Sequence, residues 1–257
     1  MQTIPPSTRI AILTDIHGNS LALDAVLRDI ESSGGVDKFW LLGDYAAIGS
    51  DPTGVLERLA SLEQAVFIRG NTDRYLYDRS QPWPRQENPD ADVQVARSFA
   101  WTTGAIGTKG WLPWLEGLPL DFRAILPDGT KILAVHAAPG EDDGDGIHSR
   151  TQDRELEQIA QNAGCNLLLV GHTHSPFDRS ISGLRIVNPG SVSNPFLPDL
   201  RAAYVLLQVS EDGCELAFHR VDYDREAVIA HAKAVNHPAW EYIASFMYGK
   251  EQPWLNS

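Results

Sequence analysis

The fold is first indicated by the stretch Arg9-Ile10-Ala11-Ile12-Leu13-Thr14-Asp15-Ile16-His17, in which an apolar run ends in two side chains that can bind a metal ion. The run is typical of a buried strand. Because side chains alternate with a period of two along a strand, Asp15 and His17 are expected to project from the same face. In open α/β sheets ligands collect at the carboxyl-terminal edge, so the stretch predicts functional residues at that edge.

The same pattern occurs four more times along the chain. Apolar runs end at Asp44, Asn71 and His136, and a further run ends in the pair His172 and His174. Each block places oxygen or imidazole donors where a strand passes into a loop. A carboxylate has two oxygens that can bridge two ions, so Asp44 is the expected bridging ligand. Together the blocks predict a site for two metal ions.

The ordered set of motifs resembles the calcineurin-like metallophosphoesterase superfamily. The family pattern DxH, GDxx, GN[HD], H and GHxH is followed in this order between about residues 9 and 191, except that Thr72 stands at the last position of the third motif. The resemblance implies an α/β fold (α+β in some schemes), built as a two-sheet β-sandwich flanked by helices. It also implies two sets of metal ligands. These are Asp15, His17, Asp44 and His174 for one ion, and Asp44, Asn71, His136 and His172 for the other.

Two further stretches resemble the small bacterial phosphodiesterase branch of this superfamily. The protein serine/threonine phosphatase branch carries GDxxDRG, whereas residues 43–49 here read Gly-Asp-Tyr-Ala-Ala-Ile-Gly, without the arginine that binds phosphate. The second stretch is Asn188-Pro189-Gly190-Ser191, after the last histidine pair. Protein phosphatase activity is therefore not expected.

The implied ligands determine the expected cofactors and reaction. All are oxygen or nitrogen donors without thiolate, so we expect two divalent ions, with Mn²⁺ favoured and Fe or Zn²⁺ as alternatives. Two ions roughly 3.5–4 Å apart polarise a phosphate and lower the pKa of a bridging water. The expected reaction is hydrolysis of a phosphoester by a metal-bridging hydroxide.

The main departure from the family pattern is Thr72, where many relatives carry a histidine that protonates the leaving oxygen. A threonine hydroxyl donates a hydrogen bond but cannot act as the general acid, whose contribution is typically about 10²–10⁴-fold. We therefore expect a phosphodiester substrate. The alternatives are a dinucleoside polyphosphate, a phosphomonoester, or a metal-binding scaffold module without activity. Asn71, Thr72 and Asp73 are the predicted catalytic residues, with Asp73 either orienting the substrate or anchoring its own turn.

Composition agrees with one domain over residues 1–257. The chain is 43% hydrophobic, which is sufficient for a sizeable core. Its net charge of −13 disfavours duplex nucleic acid and anionic membranes as partners and leaves a small phosphorylated substrate, such as a nucleotide. Without a leader or a membrane-spanning run in its sequence, the protein is expected to be cytoplasmic. Cys165 and Cys214 are expected to be free thiols.

Residues 74–120 predict a helical insertion, consisting of a loop followed by two helices. Its tryptophans, Trp101, Trp111 and Trp114, either form a lid that stacks on a base or bury a small core of the insertion itself. The acidic run at residues 141–146 predicts a solvated loop. Surface positions are expected for the remaining histidines, which are His148, His219, His231 and His237.

The local pattern predicts a βαβαβ first half. Strands begin near Arg9, Phe39 and Ala65, with helices over about 20–32 and 52–62, the first capped by Asn19 or Ser20. A hairpin is expected at residues 122–135, since a Pro-Asp-Gly turn separates two apolar runs. Further strands near residues 166–170, 184–187, 202–209 and 214–221 precede a helix over about 224–235.

Overall fold

Two β-sheets form the centre of the protein, whose computed structural model describes residues 1–78, 80–81, 89–196 and 198–249. In chain order the strands are β1 (Gln2–Thr3), β2 (Arg9–Leu13), β3 (Lys38–Leu41), β4 (Ala65–Phe67), β5 (Asp121–Ile125), β6 (Lys131–Val135), β7 (Leu167–Leu169), β8 (Phe177–Ile181), β9 (Leu184–Asn188), β10 (Ala202–Ser210) and β11 (Gly213–Val221). The helices are α1 (Ser20–Ser32), α2 (Pro52–Ala60), α3 (Asn71–Asp78), α4 (Pro89–Gly107), α5 (Trp111–Glu116), α6 (Asp153–Asn162), α7 (Arg225–Ala234) and α8 (Trp240–Met247).

The strand order explains why the sequence motifs meet. Within the described residues, one sheet has the order β11-β10-β2-β3-β4 and the other the order β1-β5-β6-β7-β9-β8. Strands β2, β3 and β4 are parallel to one another, as are β6, β7 and β9. The carboxyl ends of each parallel set therefore lie at one edge, where ligand sites form in such sheets.

Alternate strand residues face opposite sides of each sheet, as the period of two requires. In β2, Ile10 and Ile12 lie in the apolar layer between the sheets, which they share with Ile132 of β6. Ala11 and Leu13 belong to the cluster on the outer face that includes α1 and α2. Helix α6 packs on the outer face of the second sheet. These layers confirm the predicted two-sheet α/β sandwich flanked by helices.

Helix α1 begins as the sequence predicts. The Asn19 side chain accepts a hydrogen bond from the N–H of Ala22 at 3.1 Å, which satisfies one of the free N–H groups at the helix start. The Asn19 Nδ2 group also donates to Ser193 Oγ at 3.2 Å. The cap thus connects α1 to the loop that follows β9.

Some elements differ from the prediction. The sequence pattern misses β8, α6 and α8, because the first two are largely polar and the third is a short, mostly apolar segment. Helix α3 begins at Asn71, so the expected loop after Asp73 is helical over its first five residues, to Asp78. Residues 79 and 82–88 of that expected loop lie outside the described residues. Helices α4 and α5 are the two that were expected in the insertion.

Two further expectations concern the cysteine thiols and membrane-spanning segments. Cys165 and Cys214 are free thiols, as predicted, and burial raises the pKa of both. A raised pKa leaves little reactive thiolate near neutral pH. In the part of the chain that the structure describes, no helix combines the length and the apolar character needed to cross a bilayer.

Candidate dinuclear metal site

Four side chains from three strand ends form the first half of the site. The Nε2 atoms of His17 and His174 are 3.1 Å apart, and Nε2 of His174 is 3.3 Å from Oδ1 of Asp15. Nε2 of His17 is also 3.7 Å from Oδ2 of Asp44. These four residues are the set that the family resemblance implies for one ion.

The second half of the site lies on the other side of Asp44. Oδ2 of Asp44 is 3.4 Å from Nε2 of His136. Oδ1 of Asn71 lies 3.2 Å from Nε2 of His136 and 3.1 Å from Nδ1 of His172. The Asp44 carboxylate thus stands between the two groups, where a bridging ligand has to be. The structure brings all seven predicted ligands into one cluster.

Backbone carbonyls orient the imidazoles. Nδ1 of His136 is 2.6 Å from the carbonyl oxygen of Leu42, and Nδ1 of His174 is 3.0 Å from that of Asn194. His172 is reversed, with Nε2 2.8 Å from the carbonyl oxygen of Gly144. A carbonyl can only accept, so each of these nitrogens carries the proton and leaves the other ring nitrogen free for a cation.

The backbone at the ligands is left-handed, which corrects the sequence argument. Asp15 and His17 have φ values of 56° and 46°, and they follow the end of β2 instead of continuing it. Asp44, His172 and His174 have φ values of 60°, 65° and 53°. The expectation that Asp15 and His17 share a strand face is therefore wrong, since turns bring them together. Strain of this kind concentrates at functional sites and persists only where the surroundings enforce it.

Two glycines let the motif loops approach each other. A Cβ atom on Gly70 would lie 2.0 Å from Oδ1 of Asp44. Gly43 has a φ of 97°, and a Cβ atom there would lie 2.7 Å from Nδ1 of His136. Any larger residue would displace a ligand, which explains the glycine before Asp44 and before Asn71.

The electrostatics of the cluster favour cations. Burial lowers the pKa of His17 to about 4. Burial acts in the same direction on His136, but the charge of Asp44 outweighs it and raises the pKa of His136 to about 10. Burial likewise opposes the charge on Asp44, yet His136 holds the pKa of that carboxyl well below its usual range. A cation bound at Asp44 would therefore displace a proton from His136.

The donor set fits divalent metal ions. Oδ1 of Asp15 is buried and accepts no hydrogen bond from any described residue. Ligand atoms of Asp15, His17 and His174 lie within 4.8 Å of one another, and so do those of Asp15, Asp44 and His136. Carboxylate, amide and imidazole groups are the ligands that Mn²⁺, Fe and Zn²⁺ accept. Asp15 was predicted as a ligand of the first ion only, but its carboxylate lies close to ligand atoms of both halves of the site.

The side chains of Asp73 and Thr72 have different surroundings. The Asp73 carboxylate accepts the backbone N–H groups of Asp44, Tyr45 and Gly70 at 2.8–2.9 Å. Burial, followed by the charge of Asp44, raises the pKa of Asp73 to about 7. Of the two roles considered, the geometry favours the anchor. Thr72 lines the cavity next to the cluster, and its Oγ1 atom is buried without a hydrogen-bond partner among the described residues.

That cavity has a volume of about 350 Å³ and combines polar and apolar walls. Thr72 and five of the proposed ligands line it, namely His17, Asp44, Asn71, His172 and His174. Asp92, Asp143 and Asp145 contribute carboxylates to its walls. Its apolar lining comes from α4, α8 and loops, namely Ile48, Val95, Phe99, Phe196, Tyr242 and Phe246. Sequence reasoning missed this lining, although the spacings of three and four residues in Asp92-Val95-Phe99 and Tyr242-Phe246 were available as a signal.

The tryptophans of the insertion do not lie among the described residues that line the cavity. Trp111 and Trp114 contact each other edge to face with ring centroids 5.8 Å apart, and Trp114 packs on Phe67. Trp101 packs on His237. The alternative in which these residues bury a core of the insertion is therefore favoured over the tryptophan lid.

The acidic loop at residues 141–146 is solvated at Glu141 and Asp145, as predicted, but Asp142 is buried, which the prediction missed. Asp142 is 5% exposed and pairs with Arg69 at 2.7 Å and with Arg74 at 3.0 Å. Arg74 also pairs with Asp143 at 3.1 Å. The Gly144 carbonyl in the same loop accepts a hydrogen bond from Nε2 of His172. The ion pairs with Arg69 and Arg74 therefore fix a loop that contacts a proposed metal ligand.

Three of the four histidines predicted at the surface require correction. His148 is exposed, as predicted, and also lines the cavity. His237 is only 1% exposed. His219 and His231 are half-buried, and Nδ1 of His231 is 2.9 Å from Oγ of Ser50. None of these positions could be inferred from a lone histidine, because its burial depends on distant parts of the chain.

Known proteins resemble this chain along most of its length. An uncharacterized protein from Methanocaldococcus jannaschii is 28% identical over 255 residues, covering 93% of this chain and 97% of the relative. The crystal structure of a metallophosphoesterase from Sphaerobacter thermophilus has a TM-score of 0.71 at 28% identity, covering 95% of this chain and 99% of that one. A hypothetical protein from Pyrococcus horikoshii has a TM-score of 0.79 at 24% identity, with the same coverage, and shows the fold alone.

A narrower match concerns a named activity. The symmetrical bis(5'-nucleosyl)-tetraphosphatase of Cronobacter sakazakii is 29% identical over 154 residues, which is 51% of this chain and 54% of that protein. The chain thus spans about half the length of that relative. The sequence profile of the calcineurin-like phosphoesterase superfamily domain matches residues 8–212. With the five motifs and the two-sheet fold that carries them, the chain belongs to the calcineurin-like phosphoesterase superfamily of metal-dependent hydrolases.

Proposed function

We propose that this enzyme hydrolyses a phosphodiester. The observation that carries the proposal is the residue at position 72: Thr72 lines the cavity beside Asn71 and Asp44, at the position where many relatives carry the histidine that acts as general acid. A hydroxyl can stabilise a leaving oxygen by one hydrogen bond but supplies no proton near neutral pH. Substrates whose leaving group departs without a proton, such as aryl diesters, are therefore favoured over alkyl monoesters.

The side chains of the cluster would hold two divalent ions. Asp15, His17 and His174 form one half, while Asn71, His136 and His172 form the other, with Asp44 between them. Bound there, the ions supply Lewis acidity toward the phosphoryl oxygens and lower the pKa of water from 15.7 to about 7. The protein keeps the ligands in place through the carbonyl bonds to the imidazoles and through Asp73, which joins the two loops that carry Asp44 and Asn71.

Hydrolysis of a dinucleoside polyphosphate is the second candidate, because the tetraphosphatase of Cronobacter sakazakii matches half of this chain. An anhydride also departs without a strong need for a proton. The cavity walls argue against it, since Asp92, Asp143 and Asp145 line the space that a polyanion would enter. A diester carries a single negative charge and meets less repulsion there.

The test measures kcat/KM of metal-stripped protein for three substrates, before and after addition of Mn²⁺. They are bis-nitrophenyl phosphate, nitrophenyl phosphate and a dinucleoside tetraphosphate. We expect activity only with metal and the highest kcat/KM with the diester. Asp44→Asn should lower that value by more than about 100-fold, because loss of a ligand exceeds the cost of losing an outer-sphere partner. The matched control is Asp212→Asn, since Asp212 is exposed in the turn between β10 and β11.

Each other outcome rejects a defined part of the proposal. Preference for the tetraphosphate would favour the second candidate, and preference for the monoester would contradict the proposed phosphodiester substrate. Inactivity toward all three substrates with Mn²⁺, Fe²⁺ and Zn²⁺ would reject phosphodiester hydrolysis.

A further inference from the structure

Two helices that are distant in sequence, α4 and α8, pack against each other and line the cavity together. On α4, Asp92, Val95 and Phe99 are spaced by three and four residues, so they lie on one side of the helix. On α8, Tyr242 and Phe246 are four residues apart and likewise share one side. Both sides line the cavity that contains the metal cluster. We call the space bounded by these five residues the α4–α8 slot.

The slot has the chemistry of a site for a flat ring. Phe99, Tyr242 and Phe246 present aromatic surface although each is at most 9% exposed. Aromatic side chains favour stacked or edge-to-face contacts with another ring. Beside a pair of bound cations, an apolar wall would not bind the phosphoryl group itself, which is charged. It suits the part of the substrate that the phosphoryl group carries.

Asp92 adds a polar requirement. Its Oδ2 atom is buried yet accepts no hydrogen bond from the described residues. A buried carboxylate oxygen without a donor is costly, so such groups in native proteins call for an explanation. A ligand with an N–H group on the edge of its ring would supply the missing donor. Nucleobases combine a flat apolar face with N–H donors at the edge.

Size and charge restrict the ligand further. The cavity of about 350 Å³ is at the lower end of the range of roughly 300–1,000 Å³ for small-molecule sites. It can take one nucleoside with its phosphoryl group more readily than two nucleosides joined by four phosphates. The carboxylates of Asp143 and Asp145 on the same walls oppose several negative charges.

From these observations we infer that the α4–α8 slot binds a nucleobase and that the substrate is a nucleoside phosphodiester. The base stacks on the aromatic residues of the slot and donates an N–H to Asp92. This inference rests on the proposed function for the phosphodiester bond. The slot itself can be tested without it.

The experiment uses three diesters with the same nitrophenolate leaving group, so that the demand on Thr72 is constant. The other ester group is methyl, phenyl or guanosine 5'. The methyl group has no ring, the phenyl group has a ring without N–H donors, and guanine has a ring with two adjacent N–H donors. For each enzyme, kcat/KM for the phenyl and guanosine esters is divided by that for the methyl ester. Comparing these ratios between variant and wild type cancels the intrinsic reactivity of each ester and any loss of folded enzyme.

Phe246→Leu should lower both ratios by about 5-fold, because it removes a ring contact. Asp92→Asn should lower only the guanosine ratio, by about 5-fold, because it removes the charged acceptor. The matched control is Val93→Ala on the same helix, since Val93 is 46% exposed and does not line the cavity. That control should leave both ratios unchanged. Unchanged ratios in the Phe246 and Asp92 variants would overturn the inference.

Calorimetry with guanosine separates failure of the slot from failure of the proposed function. If no diester is hydrolysed but Asp92→Asn weakens guanosine binding about 5-fold, the slot stands and phosphodiester hydrolysis is rejected. Equal binding by wild type and Asp92→Asn would reject the slot.

Discussion

Asp73 accepts the backbone N–H of Asp44 at 2.8 Å, so a residue that faces away from the cavity determines where the proposed bridging ligand lies. The same carboxylate accepts the N–H groups of Tyr45 and Gly70, each at 2.9 Å. One side chain thereby joins the loop after β3 to the loop after β4. The two halves of the metal cluster therefore depend on one buried group of bonds.

Asp73→Asn should destabilise the protein by about 2 kcal/mol, because an amide has one acceptor oxygen and turns an N–H₂ group toward backbone donors. Mn²⁺ affinity should fall about 10-fold or more, as it does when outer-sphere partners of a ligand are changed. Urea unfolding of the metal-free protein and calorimetric Mn²⁺ titration measure the two effects. Asp212→Asn serves as the control. Wild-type stability and affinity in Asp73→Asn would show that the anchor has no role.

Thr72→His should introduce the general acid that this chain lacks. The Thr72 N–H donates to Oδ1 of Asp44 at 3.0 Å, and this backbone bond is kept in the variant. For a dialkyl phosphodiester, kcat/KM should rise about 10-fold or more, whereas nitrophenyl esters should change little, because only the alkoxide needs a proton. Thr72→Asn is the control of similar size without an acidic proton. An equal effect on both kinds of ester would contradict the argument.

The sequence was most informative where an apolar strand ends in a polar motif. Parallel strands carry their carboxyl ends to the same edge, so the proximity of Asp15, Asp44 and Asn71 follows from topology alone. The two-sheet fold and the cap at Asn19 were predicted for similar local reasons. What failed was the local geometry of the pair Asp15 and His17, because a period of two does not apply once the backbone turns left-handed.

The cavity walls could not be predicted, because they depend on contacts between distant segments. Asp92 and Tyr242 are separated by 150 positions and share one cavity only because α4 and α8 both pack beside the site. The burial of Asp142 in the acidic loop was missed for the same reason. A run of carboxylates is usually solvated, but here Arg69 and Arg74 arrive from other elements and pair with Asp142.

Arg74→Met should release that loop. Arg74 is 18% exposed and Asp142 6%, so removal of the guanidinium leaves a nearly buried carboxylate with one fewer cation. We expect a loss of about 2 kcal/mol in unfolding free energy. Mn²⁺ affinity should also weaken about 10-fold, since the loop carries the carbonyl that orients His172. Urea unfolding and Mn²⁺ calorimetry test this.

Arg201→Met is the matched control for Arg74→Met. Arg201 pairs with Asp199 at 2.7 Å, but the two side chains are 45% and 37% exposed. Exposed pairs contribute about 0–1 kcal/mol, so this variant should remain close to wild type. Similar losses in both arginine variants would show that burial of the Arg74 pair is not the cause.

His237 provides a test of pH dependence away from the metal cluster. Its Nδ1 atom accepts the backbone N–H of Ala239 at 3.1 Å, and its ring packs on Trp101 with centroids 4.5 Å apart. Protonation of Nδ1 would break that hydrogen bond. Burial lowers the pKa of His237 from 6.5 to about 4.

Because the folded pKa is depressed, the unfolded chain binds a proton at His237 below pH 6.5 that the native protein does not bind. Stability from this residue is thus complete above pH 6.5 and is lost as the pH falls toward 4, by about 3 kcal/mol in total. In His237→Asn the side-chain oxygen can still accept the Ala239 N–H in an Asx turn but does not titrate. Urea unfolding of both proteins between pH 8 and 4.5 should show a smaller decline in the free energy of unfolding for the variant than for wild type. At pH 8, where His237 is neutral in both states, the difference in this free energy between the two proteins reports the change in packing. Parallel declines would exclude His237 as a source of acid sensitivity.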